Sequence, residues 1–149
     1  MYATDSFIEL HGVPTLVCAD RGPSLAGEAA TLEVVGQALG LGAELVAMPL
    51  TRLGPGLFDP ATGLAARLVQ TFTGYRLRLA VVGDFALPTL SRPAMRAFVT
   101  QANRGDEVWF VASHRDLAER LELRRRLSFR ADPQVDPQVD PQADPQAEW

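Results

Sequence analysis

The sequence predicts a single α/β domain built on a β-hairpin, with a mixed and largely parallel sheet of about five strands and a disordered acidic tail. Three observations lead there. The apolar residues switch along the chain between short β-prone runs and helical spacing. After the hairpin every strand is followed by a helix, an order that calls for right-handed crossovers between parallel strands. The 149 residues are 47% hydrophobic and 21% charged, which suits one domain with its own core.

Phe7 to Leu10 and Val13 to Ala19 read as two strands joined at His11-Gly12, with Pro14 suggesting an edge position. Ser24 then offers a cap to a first helix whose apolar stripe is Leu25, Ala29, Leu32, Val35 and Leu39, ended by Gly40 and Gly42. Leu45 to Leu50 is a short buried strand. Asp59-Pro60 reads as the N-cap and first residue of a second helix, because proline loses nothing at that position. Its inner stripe is Leu64, Leu68, Val69 and Phe72, and Gly74 stops it. Leu77 to Val82 is the clearest central strand. Ser91 and Pro93 open a third helix containing Met95, Phe98 and Val99, closed at Asn103-Arg104-Gly105. Val108 to Ala112 is the last strand, and Ser113 with Asp116 starts a fourth helix carrying Leu117 and Leu121. The domain thus runs from about residue 5 to 128.

Residues 129–149 form the tail. Its Asp-Pro-Gln repeat places proline every fourth residue, which blocks helix and central strand alike, and it has little apolar surface to offset ordering. Residues 131–149 carry Asp132, Asp136, Asp140, Asp144 and Glu148 and no base, leaving 13 acids against 14 bases in residues 1–130, so the net charge of -4 belongs to the tail. All 14 bases are arginine, and only Arg124, Arg125 and Arg126 cluster, at a helix end where cations suit the dipole. Nucleic acid is therefore not an expected partner. No apolar run reaches the roughly 20 residues of a membrane helix, and Met1 to Asp5 show no secretory leader, so the expected address is cytoplasmic.

Ligands of open α/β sheets gather at the carboxyl ends of the strands. That rule brings Thr51, Asp59, Thr62, Asp84, Ser113 and His114 to one edge, with Arg52, Arg92 and Arg104 as possible flanks for an anion. With Asp59 as N-cap, Thr62 lies in the first helical turn, where free N–H groups and the dipole favour a phosphate. Asp84 has either a turn role or the role of a general base or metal ligand, and His114 either a solvated or an acid/base role. Cys18 reads as a buried strand residue opposite Asp5, about 20 Å from His11 at strand rise, rather than as a nucleophile. One cysteine excludes an intrachain disulfide and a cysteine zinc cage, and no P-loop or G-x-G-x-x-G follows a strand. No cofactor is implied.

Phe58-x-x-x-Thr62-Gly63-Leu64-Ala65, Val69-Gln70-x-Phe72-x-x-Tyr75, Leu79-Ala80-Val81-Val82-Gly83-Asp84-Phe85, Phe98-x-x-x-x-Asn103-Arg104-Gly105 and Val108-Trp109-Phe110-Val111 occur in this order. Over roughly Leu45 to Leu121 the chain resembles the bacterial domain of unknown function 4180 family. It departs from that pattern at Thr71, where members carry lysine, and near Gln101, where they carry an acid. The layout is also similar to STAS-type domains, the anti-sigma-factor-antagonist class, whose phosphorylatable Ser or Thr precedes a Gly-Leu as Thr62-Gly63-Leu64 does here. Their usual Asp-Ser-Ser/Thr-Gly context is displaced to Asp59-Pro60-Ala61-Thr62.

The small α/β body, Thr62 at a helix start and the lack of a catalytic constellation lead to the expectation of a non-enzymatic, STAS-like regulatory or protein-interaction module, switched at Thr62, with a protein partner or a homodimer. Its expected binding or regulatory residues are Thr62, Gly63, Asp59, Gly83, Asp84, Asn103 and Gly105. The alternative is a small enzyme or ligand-binding protein with an anion or metal site at Asp59, Asp84 and His114. A third reading, a subunit of a larger assembly, needs Leu53, Leu57, Leu87 or Leu90 exposed.

Overall fold

The structure, a computed structural model, describes residues 5–25, 27–84 and 93–131. The strands are β1 (Ser6–Leu10), β2 (Val13–Val17), β3 (Leu45–Pro49), β4 (Arg78–Val82) and β5 (Val108–Val111). The helices are α1 (Glu28–Leu41), α2 (Leu64–Gly74), α3 (Pro93–Arg104) and α4 (His114–Ala131). Short 3₁₀ turns at Leu50–Arg52, Pro55–Phe58 and Pro60–Thr62 fill the β3–α2 connection. No helix among the described residues is long and apolar enough to cross a membrane.

The sheet order is β1-β2-β3-β4-β5, with β1 antiparallel to β2 and every later pair parallel. The hairpin turns at His11 and Gly12, both at positive φ (48° and 86°), the combination whose twist matches that of paired strands. β2 is interior, since Thr15, Leu16 and Val17 also pair with β3, so Pro14 marks a strand start and not an edge.

Strand order that advances one place at a time carries a topological consequence. Right-handed crossovers all stepping in one direction put their helices on one face. The core agrees: Leu16, Val46, Met48, Leu79, Val81 and Phe110 share one cluster with Val35 and Ala38 of α1, Leu68 and Phe72 of α2, and Met95 of α3. The alternate residues Val17, Leu45, Ala47, Ala80 and Trp109 are buried as well, so the middle strands are apolar on both faces.

Two sequence expectations for the helices are corrected. The first helix begins at Glu28, behind Gly27, and Ser24 does not cap it. Its inward residues are Thr31, Val34, Val35 and Ala38, while Ala29 is exposed and Leu32 and Leu39 are 40% and 47% exposed. The reason is Thr31, whose hydroxyl donates to the carbonyls of Leu25 (2.8 Å) and Gly27 (2.9 Å). With its polar group satisfied, Thr31 turns inward and sets the rotation of α1. The second helix begins at Leu64, behind Gly63 in the left-handed conformation, and not at Pro60.

The chain divides into two compact units, residues 1–117 and 118–149. In the second, the described part is the rest of α4, which carries an i,i+4 ion pair between Arg126 and Glu122 at 3.1 Å. The repeat tail from Asp132 lies outside the described residues.

Candidate functional site

The parallel strands β2 to β5 end on one edge of the sheet, and the loops after them supply most of the expected site. Arg52 organises its β2–β3 side. Its Nη1 donates to the Ala19 carbonyl (3.1 Å) and its Nε to that of Pro23 (3.2 Å), and its backbone carbonyl accepts from Leu25 N–H (2.7 Å). Asp5 joins them, accepting from Ala19 N–H at 2.7 Å and lying 3.9 Å from Arg52 Nη1. Thr51 donates its hydroxyl to the Asp20 carbonyl (3.1 Å). The side chain of Arg52 is only 11% exposed. A guanidinium this buried is engaged in tying residues 19–25 across the strand ends and is not a flank held open for an anion. Nothing in the local sequence announced that role.

Gly83 extends the sheet by one bond, donating its N–H to the Val111 carbonyl (2.9 Å). A Cβ built there would sit 2.5 Å from Leu50 Cβ, so glycine is needed for close approach of the β4 and β3 exits. Asp84, next to it, is exposed. His114 is half-buried at the start of α4, where Ser113 Oγ accepts from Asp116 N–H (3.1 Å) as the expected cap. Burial pushes the His114 imidazole below its ordinary pKa, and the Asp20 charge opposes that shift. Among the described residues no three His, Cys, Asp or Glu side chains gather as metal ligands, and Asp59, Asp84 and His114 are no exception. Arg92 and Phe85 lie outside the described residues, as do Leu87 and Leu90. Leu53 and Leu57 are buried, so they do not form the apolar patch an assembly subunit would need.

The approach to α2 is where sequence and structure differ most. Asp59 Oδ1 accepts from Ala61 N–H (3.0 Å), so this aspartate stabilises the 3₁₀ turn Pro60–Thr62 and not the helix. Thr62 takes the place at the helix entrance. Its Oγ1 lies 2.7 Å from the Gly56 carbonyl and 2.8 Å from that of Asp59, with its proton shared between them, and accepts from Leu64 N–H at 3.2 Å. Thr62 is exposed, and Arg67, one turn into α2, places Nη2 3.4 Å from the Thr62 carbonyl oxygen. Thr71, on the next turn, donates its hydroxyl to the Arg67 carbonyl (2.9 Å).

Asn103 and Gly105 fall elsewhere, in the last turn of α3 and in the α3–β5 connection, at the amino end of the strands. The Asn103 amide copies a neighbouring strand: its Nδ2 donates to the Phe110 carbonyl (3.2 Å) and its Oδ1 accepts from Phe110 N–H (2.7 Å). It thereby occupies the outer edge of β5. The Gly105 carbonyl accepts from the buried Trp109 indole at 2.7 Å. Those bonds serve the sheet edge and the Trp109 ring, and Arg104 is the exposed last residue of α3.

Comparison with known proteins gives one match. No curated protein and no solved structure matches the chain. The model of the domain of unknown function family DUF4180 matches residues 10–121, from the end of β1 into α4. That span is most of the chain and covers β2 to β5 together with the entrance to α2, and the protein belongs to this family.

Proposed function

We propose that this protein is a non-enzymatic regulatory or interaction module whose association with a protein partner, or with a second copy of itself, is switched by phosphorylation of Thr62. The observation that carries the reading is the position of the Thr62 hydroxyl, exposed at the N-terminus of α2 and bonded to the carbonyls that hold the preceding turn. A phosphate on Oγ1 removes the donated proton, releasing the Gly56 and Asp59 carbonyls. It also sets about two negative charges against the first-turn N–H groups of α2, with the Arg67 guanidinium beside them. The helix start gains while the turn before it loosens, and that opposition changes the surface a partner meets. The similarity to STAS-type domains read from Thr62-Gly63-Leu64 in the sequence points to the same residue. Such a switch acts in the cytoplasm, where kinases and phosphatases meet their substrates.

A ligand or metal site at Asp59, Asp84 and His114 has less behind it, because Asp59 serves its own turn and Arg52 closes the neighbouring strand ends. The test compares wild type, Thr62→Glu and Thr62→Val by sedimentation and by affinity capture of the host partner. Thr62→Glu is expected to change association about fivefold or more, the lower end of ordinary switching energies, while Thr62→Val stays fixed in the unmodified state. Equal association in all three, with no phosphate on the native protein, removes the switch.

A further inference from the structure

At the amino end of the sheet, far from the α2 entrance, the body holds a cleft of about 250 Å³ lined by Thr73, Arg76, Leu77, Arg78, Asp106 and Glu107. Arg76 from the α2–β4 turn and Arg78 at the start of β4 line it together with two acids from the α3–β5 turn, and the buried Leu77 forms part of its floor. Arg78 also lies over the Trp109 ring, its Cζ 6.0 Å from the centroid.

Arg76 gives the cleft its interest. The end of α2 closes with Leu77 N–H donating to the Phe72 carbonyl (2.9 Å) and Arg76 N–H to that of Thr73 (3.0 Å). This is the paired closure that places its penultimate residue in the left-handed region, and glycine is the usual occupant. Here an arginine holds φ 56°. The apolar partners of the closure, Phe72 and Leu77, are both buried, so the motif needs nothing from the Arg76 side chain. The cation suits the C-terminus of α2, but a glycine would suit the backbone there, and the arginine stands at the rim of a cleft with a second cation and two carboxylates.

We propose that this cleft binds a small zwitterion of the free amino-acid type, with its carboxylate on Arg76 and Arg78 and its ammonium group on Asp106 and Glu107. The lining carries equal numbers of opposite charges in two separate turns, so a ligand with both charges meets each, and a singly charged one meets only half. The volume is below that of a drug-sized pocket and fits a molecule of about ten non-hydrogen atoms.

The full chain with Trp149→Phe leaves Trp109, beneath Arg78, as the only tryptophan, so its emission reports on the cleft. The twenty free amino acids are titrated at millimolar concentration, with acetate and ethylamine as single-charge controls. The expected result is a saturable emission change with a subset of the amino acids and none with either control. Arg76→Gly should weaken that binding about tenfold or more while leaving Tm equal or higher, because glycine suits the backbone there. Glu107→Gln should weaken it without altering Tm. The proposal is overturned if no amino acid changes the emission, if acetate does so equally well, or if Arg76→Gly binds as wild type does.

Discussion

Cys18 shows how far a single residue can be read. Its place between Val17 and Ala19 predicts burial, and it is buried, continuing the β2–β3 pairing by donating its N–H to the Ala47 carbonyl (2.9 Å). Burial, reinforced by the charge of Asp5 and opposed by Arg52, pushes its thiol from an ordinary value of 9.0 up to about 12. The native state therefore keeps its proton where the unfolded chain has lost one. The stabilising effect is whole below pH 9 and declines between pH 9 and about 12, by about 1.4 kcal/mol for each pH unit across that window. Tm measured from pH 8 to 11 should fall more steeply for wild type than for Cys18→Ala, and parallel curves would contradict the burial. Gly83 and Arg52 were harder to read. Glycine after a strand signals a turn, but its reason is a leucine 33 positions earlier in the chain, at Leu50. The bonds of Arg52 likewise run to residues 29 and 33 positions away, and no local pattern encodes such partners.

Among the elements, strand identities were legible because a buried strand is a short apolar run, and Leu45–Pro49 and Arg78–Val82 fall where expected. Helix entrances were less so. Asp59-Pro60 carries every mark of an N-cap, but those marks serve a 3₁₀ turn equally well, since both need a side-chain oxygen for an early N–H. The stripe of α1 went astray because a polar residue, Thr31, took an inward place by bonding to the backbone. Asn103 was read as part of a helix stop and through the family pattern, and its use is to close an edge. β5 is the last strand of the sheet, and an open edge leaves donors and acceptors unpaired. Replacing Asn103 by Ala leaves Phe110 without both side-chain bonds and should cost about 1 to 3 kcal/mol. Urea denaturation checks the cost, and amide exchange should show faster exchange at Phe110 N–H. An unchanged midpoint would mean that the amide contributes nothing to the edge.

For the molecule as a whole, fold class came from the alternation of strand and helix, but strand order did not, because periodicity says nothing of which strand neighbours which. The order observed advances without reversal. A reversal is what opens a crevice at the strand ends of doubly wound sheets. With three helices on one face and the strand ends partly closed by residues 19–25, the carboxyl edge carries an exposed threonine at a helix entrance. That position is the ground for reading the protein as a switched interaction module. The most direct test is a native mass spectrum of the protein purified from its own host, followed by fragmentation to locate any added mass. The account predicts a species heavier by one phosphate at Thr62, or a copurified protein whose retention differs between Thr62→Glu and Thr62→Val. A bare, unmodified chain that retains no partner and no phosphate would contradict it.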